Sequence, residues 1–137
     1  MNQLFALKQP AVFGHRGASG YAPENTLAGF AYAWKIGVRA FELDVRLTAD
    51  HELVVLHDET LSRTTGAPGK VGDYPFSQLS QLDALAAFPN WPEIARIPRF
   101  QAVLDAYHQK LISWEIEIKP AVPENLEILV PKLLKLI

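Results

Sequence analysis

Apolar positions alternate with polar ones in several short stretches of the chain, which predicts β-strands. Residues 41–47 alternate strictly, and residues 111–119 alternate from Ile112 onward, so each stretch is expected to present one apolar and one polar face. Residues 53–56 form a continuous apolar run, typical of a strand buried on both faces, as in a parallel sheet. Residues 11–14 form a shorter apolar strand candidate that stops at a glycine.

Helical spacing of apolar residues recurs between these strands. One helix is predicted from residue 27, where Asn25 or Thr26 can cap its first turn. A second is predicted over 100–107. A third follows Glu124 and contains Pro131, which should kink or interrupt it because proline lacks an amide donor.

Residues 59–98 break this rhythm, because glycines and prolines divide them into short pieces. Only 78–88 is predicted to be helical there, and we interpret the segment as an insertion, a cap beside a site. Without it the order is strand, helix, strand, strand, helix, strand, helix, which is typical of an α/β fold. Residues 1–137 are expected to form a single domain.

Composition narrows the class of protein. The 137 residues are 49% hydrophobic, enough for one domain with a core. A net charge of -2 without any basic run argues against binding to nucleic acid. The absence of cysteine fits a reducing compartment. Residues 1–8 lack the pattern of a secretion signal, and no apolar stretch is long enough for a transmembrane segment, so a soluble, cytoplasmic protein is expected.

The stretch VFGHRGASGYAPENT (12–26) carries the first candidate chemistry. Arg16 offers a permanently charged fork for phosphate oxygens, and His15 can transfer a proton near neutral pH. Gly14 and Gly17 would let a ligand approach the backbone closely. A tight turn with a solvated arginine and a surface histidine is the alternative that this stretch alone leaves open.

Acidic residues supply a second candidate feature. Glu42 and Asp44 lie two apart on a predicted strand, so their carboxylates leave the same face, and Glu117 and Lys119 repeat that geometry. Three carboxylates in one space repel each other unless a cation lies among them, and such ligands suit Mg²⁺ or Ca²⁺. For Glu42 and Asp44 alone, solvated acids on a strand with one exposed face remain the alternative.

His57 follows the apolar run and precedes an aspartate. A single histidine in that place is more often a packed residue, but with His15 it forms a possible acid/base pair. Arg16 and Lys119 would stabilise negative charge beside them, as a metal ion would. Together these residues indicate metal-assisted cleavage of a phosphodiester.

Short motifs occur in order from residue 11 to about 120: GHRG (14–17), PENT (23–26), ELDV (42–45), VVLHD (54–58), LSRTTG (61–66), IP (97–98) and EIK (117–119). As a set they resemble the glycerophosphodiester phosphodiesterase family, in its cytoplasmic bacterial form. The resemblance implies a TIM (β/α)8 barrel with a small insertion after the HD motif. It also implies hydrolysis of glycerophosphodiesters, such as glycerophosphocholine, to glycerol 3-phosphate and an alcohol.

The resemblance also assigns roles, residue by residue. The matched roles are acid/base catalysis for His15 and His57, metal binding for Glu42, Asp44 and Glu117, and phosphate binding for Arg16 and Lys119. Glu24 falls in a loop motif that helps to complete the site in the family. Asn25 and Thr26 are expected to cap the helix instead.

Two departures from the family pattern stand out. Glu115 occupies a position where the family usually has asparagine, and by strand parity it faces the same way as Glu117. The added charge is expected to raise a carboxylate pKa or change the metal preference. The second departure is length, because such a barrel typically needs about 250 residues.

The short length leads us to expect a chain truncated to about the N-terminal half of the barrel. An open half-barrel would expose strand edges, and self-association of the chain through such an edge is one expectation. Two other functions stay open at this point. One is a phospholipase D-like lyase of the same fold acting on choline lipids, and the other is a catalytically inactive fragment.

Overall fold

The computed structural model describes residues 10–137, and it contains four strands and five α-helices within that range. The strands are β1 (Phe13–His15), β2 (Ala40–Leu47), β3 (Leu53–Val55) and β4 (Ser113–Ile118). The α-helices are α1 (Leu27–Lys35), α2 (Ser62–Thr65), α3 (Phe76–Leu79), α4 (Phe100–Tyr107) and α5 (Leu126–Leu134). Short 3₁₀ turns occupy Val71–Asp73 and Pro123–Asn125. Among the residues described, no helix is long and apolar enough to cross a membrane.

Strand β2 is the centre of the sheet, and the other three strands all pair with it. It runs parallel to β1, with His15 opposite Glu42, and parallel to β4, with Asp44 opposite Glu117. It runs antiparallel to β3, where Val45 lies opposite Val55. The sheet therefore brings residues from three distant parts of the chain beside the polar face of β2.

The antiparallel direction of β3 corrects the sequence interpretation of 53–56 as a strand of a parallel sheet, although its residues are buried as expected. The connection is too short for the crossover that parallel strands need. Instead a tight turn closes a hairpin, with the Glu52 amide donating to the Thr48 hydroxyl at 2.9 Å. His57 therefore returns toward the middle of β2, where the Leu56 amide bonds the Asp44 carbonyl at 3.0 Å.

The alternation predicted for β2 is confirmed by its two faces. Phe41, Leu43, Val45 and Leu47 are buried in the main core. Helices α1, α4 and α5 cover this face, and the Phe41 ring lies 5.1 Å from that of Phe30 and 5.3 Å from that of Tyr107. Because side chains alternate along a strand, this packing holds the charged side chains of β2 on the opposite face.

Residues 59–98 form short turns and helices around a second apolar cluster: Val54, Leu56, Leu61, Val71, Leu79 and Ile97. The helix predicted over 78–88 is wrong, because α3 ends at Leu79 and turns follow. The reason lies in the backbone donors beyond that point. The Ala84 amide bonds the Ala95 carbonyl, and the Ala86 amide bonds the Thr64 carbonyl, so neither continues a helix.

Helices α1 and α5 test what the sequence predicted for Asn25, Thr26 and Pro131. Thr26 caps α1, because its hydroxyl accepts from the Gly29 amide at 3.0 Å, and Asn25 has another partner. Pro131 was predicted to kink or interrupt its helix, and the interruption does not occur, because α5 runs through Pro131. Proline removes the donor to the Glu127 carbonyl, but both residues are exposed, so solvent can bond that carbonyl instead.

Candidate active site

Three carboxylates meet on the polar side of the sheet. Glu42, Asp44 and Glu117 each offer an oxygen atom, and these atoms lie within 4.8 Å of one another. The parallel register causes this, because it places Asp44 opposite Glu117 with side chains on the same face. Asp44 is completely buried, Glu42 is nearly so, and Glu117 lies at the exposed rim.

Asp44 has one carboxylate oxygen fully engaged and one that is not. Its Oδ2 accepts from the Asn25 amide group at 2.9 Å and lies 3.3 Å from Arg16 Nε. Its Oδ1 is buried and accepts no hydrogen bond from the residues described, although Lys119 Nζ lies 3.5 Å away. A buried carboxylate oxygen without a donor is costly, so this atom fits a cation ligand.

The type of ligand atom in the cluster also fits a metal ion. Carboxylate oxygens are the ligands that hard divalent cations prefer in proteins. Burial raises the pKa of Glu42, the backbone hydrogen bond from Arg16 partly offsets it, and the charge of Asp44 raises it further. Glu42, Asp44 and Glu117 could therefore hold a metal ion that would relieve the repulsion among them.

Lys119 lies at the rim of the cluster, where its Nζ donates to Glu117 Oε1 at 2.5 Å. This hydrogen bond is the largest of the effects that lower the pKa of Glu117, and the charge of His57 contributes as well. Glu115 lies opposite Glu42 in the strand register, but it is exposed and outside the three-carboxylate cluster.

The two histidines make different contacts with acidic residues. His15 is largely exposed at the end of β1, and its Nε2 is 3.8 Å from Glu42 Oε2. His57 is partly buried, with Nδ1 2.7 Å from Asp58 Oδ1. His15 is thus beside Glu42, and the hairpin of β2 and β3 brings the chain before His57 back to Asp44.

Arg16 contacts three acidic residues, which are Glu24, Glu42 and Asp44. Its amide donates to Glu42 Oε2 at 2.9 Å, and its Nη1 donates to Glu24 Oε1 at 3.1 Å. Its φ of 51° is in the left-handed region, which residues other than glycine rarely adopt. The backbone N–H of Asn25 donates to the Arg16 carbonyl at 3.0 Å and helps to hold this conformation.

Arg46 lies on the same face of β2 as Glu42 and Asp44, and it bonds the backbone on either side of the site. Its Nε and Nη2 donate to the His57 carbonyl at 2.9 and 2.7 Å, and its Nη1 donates to the Lys119 carbonyl at 3.3 Å. One guanidinium thereby joins the backbone of the HD motif to the end of β4. Its partial burial lowers the pKa of Arg46.

Sequence reasoning missed roles for Asn25, Asp58 and Arg63. Asn25 was expected to cap α1, but it bonds Asp44 instead. Asp58 and Arg63 lie in the quoted motifs VVLHD and LSRTTG, which is the only signal that pointed to them. Each makes its contact across a loop, and strand or helix periodicity carries no information about such contacts.

The carboxyl groups bound to Arg63 should make stability depend on pH. Hydrogen bonds from Arg63 lower the pKa of Asp58 well below its ordinary value, and the hydrogen bond with His57 adds to this. Burial would raise the pKa of Glu24, but Arg63 and Arg16 lower it overall. Groups with a depressed pKa bind fewer protons in the folded state, so their stabilisation is complete above the ordinary values, about 3.9–4.3, and is lost below them.

The protein is therefore expected to lose stability as pH falls below about 4, and Asp58→Asn should make that loss less steep. Urea unfolding midpoints measured stepwise from neutral to acid pH test this. Asp83→Asn is the matched control, because Asp83 is more exposed and its Oδ1 lies 3.5 Å from Arg96 Nε. Parallel pH curves for wild type and Asp58→Asn would contradict the expectation.

Comparison with solved structures defines the fold class as the TIM-barrel type of phosphodiesterase. A glycerophosphodiester phosphodiesterase from Agrobacterium tumefaciens superposes with a TM-score of 0.78 at 39% identity, covering 91% of this chain and 54% of that one. An Oleispira antarctica phosphodiesterase, solved with its product sn-glycerol-3-phosphate, superposes with a TM-score of 0.79 at 35% identity, covering 90% of this chain and 50% of that one.

The chain belongs to the glycerophosphoryl diester phosphodiesterase family, whose sequence model matches residues 15–136. Bacillus subtilis YhdW is 46% identical over 108 residues, 79% of this chain and 44% of that protein. The glycerophosphodiester phosphodiesterase of Caldanaerobacter subterraneus is 41% identical over 111 residues, 81% of this chain and 46% of that protein. The chain spans about half the length of the relatives it matches.

Proposed function

We propose that the protein hydrolyses glycerophosphodiesters to glycerol 3-phosphate and an alcohol, with the help of a divalent cation. The observation that carries the proposal is the cluster of Glu42, Asp44 and Glu117, whose oxygens lie within 4.8 Å of one another. His15 lies 3.8 Å from Glu42, and the chain before His57 bonds Asp44. Membership in the family supports the reaction class. The Oleispira antarctica relative, solved with sn-glycerol-3-phosphate, supports the class of product.

The histidines provide the proton transfers. One of His15 and His57 accepts a proton from the attacking oxygen, that of water or of the glycerol 2-hydroxyl, as this oxygen bonds to phosphorus. If the 2-hydroxyl attacks, water opens the resulting cyclic phosphate in a second step, so both routes consume one water and give glycerol 3-phosphate. The other histidine donates a proton to the departing alkoxide as its bond to phosphorus breaks, so the alcohol leaves neutral. Arg16 and Lys119 bind the phosphoryl oxygens and stabilise the negative charge of the transition state.

We assign the cation-binding role to Glu42, Asp44 and Glu117, with Mg²⁺ or Ca²⁺ as the ion. Their all-carboxylate chemistry and the undonated Oδ1 of Asp44 support this choice. A bound divalent cation supplies Lewis-acid stabilisation of a phosphoryl oxygen, typically several kcal/mol (about 3 or more). Glu115 lies on the same strand as Glu117, but it is exposed and outside the cluster, so we do not assign it to the ligand set.

The direct test is release of glycerol 3-phosphate from glycerophosphocholine by the purified protein, with and without a chelator. Chelation is expected to abolish release, and adding back either Mg²⁺ or Ca²⁺ to restore it and identify the ion. Undiminished activity under chelation would contradict the metal role. Accumulation of a cyclic phosphate as the end product would favour lyase chemistry over hydrolysis.

The cytoplasmic location of the protein and its self-association through an open strand edge stay predictions.

A further inference from the structure

Arg63 bridges two acidic residues that come from different loops of the site. Its Nε and Nη2 donate to the two carboxylate oxygens of Asp58 at 2.6 and 3.0 Å. Its Nη1 and Nη2 donate to the two oxygens of Glu24, both at 2.7 Å. The guanidinium thus makes two bidentate pairs, although 39 residues separate Arg63 from Glu24.

Two bidentate pairs explain why this position holds arginine. A planar guanidinium has five donors in a fixed fork and can match two carboxylates at once. Lysine carries the same charge on a single nitrogen and cannot bind two carboxylates in this geometry. The side chain of Arg63 is 43% exposed, so a simple surface ion pair would contribute little, and the value of the contact lies in orientation.

Each of these two carboxylates also contacts a residue of the proposed site and helps to fix the orientation of that residue. Asp58 Oδ1 lies 2.7 Å from His57 Nδ1. If that nitrogen carries the proton, Nε2 is left free to accept or donate a proton at the substrate. Glu24 Oε1 accepts from Arg16 Nη1 at 3.1 Å, beside the contact of Arg16 with Asp44.

We propose that Arg63 is a positioning residue that aligns His57 through Asp58 and Arg16 through Glu24. The inference deepens the proposed function, since it rests on the acid/base role of His57 and the phosphate-binding role of Arg16. It gives the segment 59–98 a task in the reaction, because α2 carries Arg63 to the site. A purely structural ion pair would instead hold α2 in place without affecting the histidine.

Nuclear magnetic resonance of the imidazole nitrogens, at a pH where the ring is neutral, tests the first half directly. In the wild type, His57 is expected to be protonated on Nδ1. Arg63→Met and Arg63→Lys should shift it toward protonation on Nε2. Arg96→Met is the matched control, because Arg96 is 42% exposed and also pairs with one aspartate. The control is expected to leave His57 unchanged.

Steady-state kinetics test both halves together. Asp58→Asn should lower kcat, Glu24→Gln should raise KM, and Arg63→Lys should do both, each by about tenfold or more. Arg96→Met should change neither. A structural role for Arg63 would lower the urea midpoint of Arg63→Lys and leave both kinetic constants near those of wild type, which would overturn the proposal.

The two measurements separate this inference from the function on which it rests. Absence of glycerol 3-phosphate release from the wild type would refute the proposed function, while the imidazole spectrum would still report on Arg63. Wild-type His57 protonated on Nε2 would overturn the inference even if every variant failed to fold. So would a spectrum that stays unchanged in folded Arg63→Met.

Discussion

Glu117→Gln is expected to lower glycerol 3-phosphate release about a hundredfold or more and to weaken divalent-cation binding, whereas Glu115→Gln leaves both near wild type. Losing one ligand removes part of the several kcal/mol that a bound cation contributes, and each 1.36 kcal/mol is about a tenfold change in rate. The two residues are a matched pair, since both are exposed glutamates with the same strand parity on β4. Glu117 belongs to the carboxylate cluster and Glu115 does not.

Initial rates and calorimetric titration with Mg²⁺ and Ca²⁺ give the two readouts. Because Glu117 lies at the rim, its replacement should leave the urea midpoint close to that of wild type, so a loss of activity cannot be assigned to unfolding. Equal losses in Glu115→Gln and Glu117→Gln would show that general negative charge, rather than a defined ligand position, supports the reaction. Unchanged cation binding in Glu117→Gln would remove Glu117 from the proposed ligand set.

The histidine variants His15→Gln and His57→Gln are each expected to reduce hydrolysis of glycerophosphocholine by about 10²- to 10⁴-fold, the usual contribution of general acid or base catalysis. A second substrate separates their roles. The p-nitrophenyl ester of glycerol 3-phosphate releases a stable phenolate, which needs no proton as it leaves. The variant that lacks the acid should therefore recover most of its activity on this ester, and the variant that lacks the base should not.

His108→Gln serves as the control for histidine replacement, since His108 lies beyond α4 with its Nδ1 3.0 Å from the Leu104 carbonyl. Its rates on both esters should equal those of wild type. Equal losses on the two esters in both active-site variants would contradict the division into acid and base. Full activity of either variant on glycerophosphocholine would remove that histidine from the mechanism.

Much of the site could be predicted because strand parity is a local property. Once 41–47 was recognised as a strand with one apolar face, Glu42 and Asp44 had to share the other face, and the structure has them there. The same parity on β4 gave the direction of Glu117. The pattern could not give the register between the strands, which brings the Glu117 oxygen within reach of the others.

The ambiguous positions were those whose residue type fits two environments. Asparagine and threonine are both good helix caps, so the sequence could not assign Asn25 to Asp44 and Thr26 to α1. The apolar run 53–56 likewise suits any strand buried on both faces, and the direction of β3 followed from the short turn before it. The helix predicted over 78–88 does not form, because the amides of Ala84 and Ala86 donate to carbonyl groups elsewhere in the fold.

The sequence by itself determined which faces of the strands and helices are apolar, the order of the elements and the family to which the chain belongs. Tertiary structure decided the direction of β3, the partner of Asn25 and the bridge from Asp58 through Arg63 to Glu24. The physical reason is range. Periodicity records how neighbouring side chains alternate between solvent and core, whereas a contact across two loops depends on how the whole chain packs.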